Sequence, residues 1–148
     1  MNEQNILNVF SFVVVDDSSF GALMLGKKLR ELGINSKYIY EEVTFENTCK
    51  YVIKAYKEGT FPVVLLGENS EGSSNIVRKL VDSYEHGGII FPFSLSQDSL
   101  IPEWKNCLPE DSKWSIRRFD GVSEIELVCE EFLNNLHKDE ESIELKNR

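Results

Sequence analysis

Apolar residues crowd together over residues 6–15, a nearly continuous run rich in Val and Phe. Such a run predicts a strand covered on both faces, as the parallel strands of an α/β sheet are. Asp16 and Asp17 end it abruptly. Ser18 and Ser19 then cap a predicted helix in which Ala22, Leu25, Leu29 and Leu32 recur at helical spacing, and Gly33 stands where a left-handed terminator belongs.

The alternation of periods continues to the end of the chain. Residues 36–40 are partly alternating and predict a short second strand, after which Thr44 introduces a helix with the apolar face Phe45, Cys49, Val52, Ile53 and Tyr56, closed by Gly59. Residues 61–66 are a buried-strand run ending at Gly67. A polar loop over 68–73 follows, and Ile76, Val77, Leu80, Val81 and Tyr84 mark a third helix. Gly87 and Gly88 lead into a fourth strand at 89–93. Residues 100–108 hold a short helix limited by Pro102 and Pro109, and 114–116 form a brief fifth strand. The last helix begins after Gly121, with Ile125, Val128, Cys129, Phe132 and Leu136 on one face. From His137 the chain turns charged, and this stretch reads either as a coil or as a helical extension that Ile143 would keep on the same face.

Strands alternating with helices predict an α/β fold: a doubly wound, five-stranded parallel sheet with helices on both faces. A ligand site in such a sheet lies beyond the carboxyl ends of the strands, near the topological switch point. Asp16, Asp17, Gly67, Ser94 and Arg117 are all expected at or near that edge. With 148 residues and no repeat or low-complexity linker, the chain reads as one domain over 1–136 with a charged extension over 137–148.

Composition narrows the functional classes. A net charge of −9, with basic residues scattered along the chain, argues against a nucleic-acid partner. No apolar run approaches the ~18 residues of a membrane span, and the first residues lack the basic start of a secretory signal, so a cytoplasmic location is expected. Cys49, Cys107 and Cys129 are far apart and form no CxxC, which suggests neither a disulfide framework nor a zinc site. Ser18, Ser19 and Ser94 have no evident triad with His86 or His137, and the loop from Gly67 to Gly72 has no phosphate-binding spacing. Trp104 and Trp114 read as interface anchors or as core.

The segment Val13-Val14-Val15-Asp16-Asp17-Ser18-Ser19-Phe20, followed by a helix ending Leu29-Arg30-Glu31-Leu32-Gly33, resembles the opening of the receiver domains of two-component response regulators. The resemblance extends over residues 9–136, with the opening as its specific part. It implies a flavodoxin-like architecture in which the acidic pair holds magnesium, the third strand ends in a phosphorylated aspartate, the fourth in Ser or Thr, and the fifth in Lys-Pro. On this chain the acceptor position falls on Gly67, the hydroxyl position on Ser94 or Ser96, and the lysine position on Arg117, with Arg118 in place of proline and Phe119 behind it. Glycine cannot take a phosphoryl group, and losing a carboxylate from a three-carboxylate site leaves Asp16 and Asp17 with weak or no magnesium binding. Arginine is larger and planar, and could lie across Asp16 or Asp17 in place of the metal.

The resemblance therefore implies a degenerate receiver, a pseudo-receiver without catalysis and with no cofactor expected. Its output would be a protein contact, with a signalling partner or as a homodimer, through the surface of the fourth helix, fifth strand and fifth helix, including residues 100–114 and Arg118. The alternative is a divergent magnesium-dependent phosphoacceptor using Glu68 or a neighbour, although Glu68 should face away from the acceptor position. A third reading is a flavodoxin-like domain for a small phosphorylated ligand, which no phosphate loop supports.

Overall fold

Phe10–Val15 (β1) is buried at every position, and it can be so only with a strand on each side and cover on each face. The computed structural model describes residues 6–15, 19–67, 70–92, 101–119 and 121–146. β1 pairs in parallel with Ile39–Val43 (β2) and with Phe61–Leu66 (β3). Beyond β3 lie Gly88–Pro92 (β4) and the short Trp114–Ile116 (β5), also parallel, giving a five-stranded sheet in the order β2-β1-β3-β4-β5. That order is the one found in flavodoxin-like sheets.

The helices are Ser19–Glu31 (α1), Thr48–Lys57 (α2), Ser70–Ser83 (α3), Ile101–Asn106 (α4) and Ile125–Lys146 (α5). Side-chain alternation along β1 sorts the core into two clusters. Phe10, Phe12 and Val14 pack with Leu25 and Leu29 of α1 and with Ile125, Val128, Cys129 and Phe132 of α5. Val13 and Val15 pack with Val52 of α2, with Ile76, Val77 and Leu80 of α3, and with Trp104 of α4. The two tryptophans complete the second cluster: both are buried, and their ring N–H groups donate to Ser74 Oγ at 3.1 Å (Trp104) and to the Tyr84 carbonyl at 2.7 Å (Trp114).

Several element limits differ from the sequence reading. Residues 6–9 form a 3-10 turn instead of the start of β1, because β3 begins at Phe61, opposite Phe10, and offers the earlier residues no partner. Residues 36–38 likewise coil into a 3-10 turn capped by Asn35, whose side chain accepts from the Lys37 N–H at 3.1 Å, so β2 starts at Ile39 and runs on to Val43. Thr44 caps the turn Phe45–Asn47, its hydroxyl accepting from the Asn47 N–H at 3.2 Å, and α2 proper starts at Thr48. Ile53, expected on the buried face, is 40% exposed, since α2 buries Thr48, Val52 and Ala55. The loop expected over 68–73 is already helical from Ser70. The charged stretch after Leu136 is helical as far as Lys146.

Two left-handed glycines with different surroundings allow a comparison. Gly59 (φ 77°) has open space where a Cβ would sit, whereas a Cβ on Gly87 (φ 81°) would collide with the backbone of Lys113. Gly59→Ala is expected to lower stability by roughly 1–2 kcal/mol, the left-handed penalty alone. Gly87→Ala is expected to cost clearly more, because the chain leading into β5 must also move. Urea unfolding of the two variants side by side checks this; equal losses would mean that the contact at Lys113 relaxes freely.

Candidate functional site

The strand ends that should carry a site converge at one edge. Val15 lies opposite Leu66 and Leu66 opposite Pro92, so these three strand ends form one row. Gly67 is buried there, its N–H donating to the Val15 carbonyl at 2.6 Å. The buried Ser73 hydroxyl donates to the Gly67 carbonyl at 3.3 Å, tying the first turn of α3 back to the end of β3. Gly67 thus stands directly beside the carboxyl end of β1, where the sequence resemblance puts its acceptor position. Asp16, Asp17, Glu68, Ser94 and Ser96 lie outside the described residues.

Arg117 reaches this edge one step lower. Ile116 pairs with Ile90, and the Arg117 N–H donates to the Ile90 carbonyl at 3.0 Å, so Arg117 falls one residue short of the Val15–Leu66–Pro92 row. Trp114 and Ile116 point into the second cluster, which leaves Arg117 on the side of α5. Its Nη1 meets Glu131 Oε2 of α5 at 2.8 Å, with both side chains more than two-fifths exposed (42% and 44%). Glu131 is a partner that the sequence reading did not single out. The contact joins the end of β5 to α5, and no local period announces it. Phe119 follows in step, its ring 5.8 Å from Phe91 in an edge-on arrangement.

Other chemistry is sparse. Among the described residues no group of His, Cys, Asp or Glu is arranged to hold a metal ion. No described helix is long and apolar enough to cross a membrane. A cleft of about 400 Å3 opens at the opposite edge of the sheet, between the end of α3 and the approach to β5, lined by Asp82, Tyr84, Glu85, Asp111, Lys113 and Trp114. It shares no residue with the strand-end site. All three cysteines are free thiols. Burial, with a smaller contribution from Glu126, pushes the Cys129 thiol up to about 12, and burial beside Tyr84 raises the Tyr56 phenol.

Comparison with protein-family models, with curated proteins and with solved structures gives no match to this chain.

The buried thiol makes alkaline stability testable. Between pH 9, where Cys129 ionises in an unfolded chain, and about 12, where it does so folded, the folded state holds a proton that the unfolded state has lost. Its contribution is therefore complete below pH 9 and is lost as pH rises through that window. Urea midpoints are expected to fall with pH there, and less steeply in Cys129→Ala. Alkylation followed by mass mapping should label Cys49 and Cys107 well before Cys129; simultaneous labelling would contradict the burial assigned to it.

Proposed function

We propose that this chain is a non-catalytic pseudo-receiver: a cytoplasmic signalling module on a doubly wound, receiver-like scaffold that acts through protein contacts without the usual phosphoacceptor aspartate. The observation that carries the reading is Gly67. It ends β3 with its N–H on the Val15 carbonyl, beside the point where the chain enters Asp16 and Asp17, and it has no side-chain oxygen to offer a phosphoryl donor. The sheet order and the division of the helices between two clusters, α1 and α5 with one and α2, α3 and α4 with the other, support the doubly wound scaffold.

With the acceptor missing, a metal has little to do. Magnesium binding by Asp16 and Asp17 is weak or absent in this reading, and no cofactor is needed. Arg117 is engaged with Glu131, which orients its guanidinium along α5. The partner contact falls on α4, β5 and α5, where Pro102, Glu103, Lys105 and Arg118 are exposed and Leu127 is 52% exposed. The occupant there is a signalling protein or a second copy.

Incubation of the intact chain with magnesium and acetyl phosphate is expected to leave its mass unchanged. A beryllofluoride addition under millimolar magnesium should leave the amide signals of Gly67 and Arg117 in place. A covalent phosphoryl adduct, on Glu68 or any other group, would overturn this reading in favour of a divergent magnesium-dependent phosphoacceptor. Exchanging Arg117 or Glu131 for Ala, singly and together, is expected to give a coupling of about 0.2–1 kcal/mol that shrinks with added salt. A larger, salt-insensitive coupling would mean that the pair is a structural clamp.

A further inference from the structure

Two helices of this acidic chain expose clustered cations, and they lie on opposite faces of the sheet. α1, packed in the first cluster, exposes Lys27, Lys28 and Arg30 beside Leu23 and Met24. α2, packed in the second, exposes Lys50, Lys54 and Lys57 beside Ile53, and none of its ten residues is acidic. Helical spacing sets Ile53, Lys54 and Lys57 together, opposite the buried Thr48, Val52 and Ala55. Lys50 and Lys54 lean over aromatic rings, with Nζ 5.8 Å from the Tyr51 centroid and 5.1 Å from that of Tyr40.

The cleft at the amino edge of the sheet lies on the same face as α2. Val81 and Trp114 of the second cluster line it, together with Tyr84 packed against that cluster. Asp82, Glu85 and Asp111 are exposed around it, against a single lining cation, Lys113. Its volume, about 400 Å3, is that of a pocket and not of a packing gap. The ion pairs among the described residues join Arg30 to Glu41, Arg78 to Glu103 and Arg117 to Glu131. None engages the carboxylates of the cleft or the lysines of α2. The two features also share a height on the molecule. α2 ends at Lys57, just before β3 starts at Phe61, and the cleft opens where α3 ends and β5 begins. Across the sheet they are separated: α2 lies over β1 and its neighbours, and the cleft adjoins β5, with β3 at the centre of the order β2-β1-β3-β4-β5.

We propose that the chain forms a two-fold dimer through the face of α2, α3 and α4, in which Lys54 and Lys57 of each copy seat in the cleft of the other, against Asp82, Glu85 and Asp111. A two-fold axis parallel to the strands and facing β3 carries the α2 side of one copy onto the cleft side of its partner at equal height, so one operation makes both contacts. α1 cannot take this part, because its cations lie on the other face of the sheet. The lysines bring what the cleft lacks: cationic heads for its carboxylates, on apolar stems that cover the surface beside Trp114 and Tyr84. The net charge of −9 opposes association over long distances. At about 0.15 M salt that repulsion is screened beyond roughly 8 Å, while groups in contact still attract. The dimer does not depend on whether the strand-end site accepts a phosphoryl group.

Sedimentation equilibrium of the full chain at about 0.15 M salt tests it. A reversible dimer is expected. Lys54→Glu with Lys57→Glu should weaken it at least about tenfold, as should Asp82→Lys with Glu85→Lys, because each reversal sets like charges together in both contacts. An equimolar mixture of these two double variants should dimerise again, since both contacts of the mixed pair are then complementary. All four positions are exposed, and circular dichroism verifies that each variant folds. Lys27→Glu with Lys28→Glu, on α1, and Leu127→Ala, on α5, should leave the dimer intact. A chain that stays monomeric at all accessible concentrations would overturn the proposal. So would a dimer indifferent to the α2 and cleft reversals, a dimer lost on reversal of α1 or truncation of Leu127, or reversed variants that fail to recombine.

Discussion

A central parallel strand cannot stand alone, and β1 is the strand on which this molecule turns. All six of its residues are buried, with β2 on one side and β3 on the other. Each backbone group in it needs a partner from those neighbours, since water does not reach them. Its side chains, pointing alternately to the two faces, require apolar cover on both. The two clusters are that cover, and they recruit different helices: α1 and α5 for Phe10, Phe12 and Val14, and α2, α3 and α4 for Val13 and Val15. Once the strand is enclosed in this way, only the strand ends remain accessible for chemistry.

Polar atoms inside this enclosure are matched. Ser11, the one hydroxyl in β1, lies 2.6 Å from the Thr60 hydroxyl, which in turn donates to the Ala55 carbonyl at 2.9 Å. With the Thr60 proton committed to that carbonyl, Ser11 is the donor in the pair. A buried hydroxyl without such a partner costs about 1–3 kcal/mol. The chain of bonds therefore makes a serine tolerable in the centre of the sheet, and it fixes the turn between α2 and β3. The tryptophans solve a related problem at the far edge. β5 contributes only three residues, and the rings of Trp104 and Trp114 supply much of the apolar area that a longer strand would have provided.

How far the sequence could be read depended on whether the signal was local. The limits of β3 and β5 were legible because each run is bounded by glycine or polar residues on both sides, and the face of α5 was legible because five apolar positions repeat at one period. Residues 6–9 look like more of β1, since nothing in their composition reveals that β3 starts too late to pair with them. Ile53 next to Val52 could occupy either side of the helix, and the position of α2 on the sheet decided the matter. At the strand ends, Gly67 was readable as the residue after a buried run, and its bond to Val15 follows from that place. The pairing of Arg117 with Glu131 was not readable, because it depends on the short register of β5 against β4 and on how α5 returns along the sheet.

The separation between scaffold and edge has a consequence for how such a chain can change. Gly67 and Arg117 belong to neither apolar cluster, and the Arg117–Glu131 pair is exposed on both sides. Exposed pairs of this kind carry about 0–1 kcal/mol, whereas truncating a buried leucine such as Leu65 or Leu66 costs about 2–5 kcal/mol. Substitution at Arg117 or Glu131 is therefore nearly free of stability cost, and substitution in the strands is not. Loss of the exposed Arg117–Glu131 pair leaves the helices packed in the two clusters. The helices α2, α4 and α5 are held by the two clusters and not by the edge.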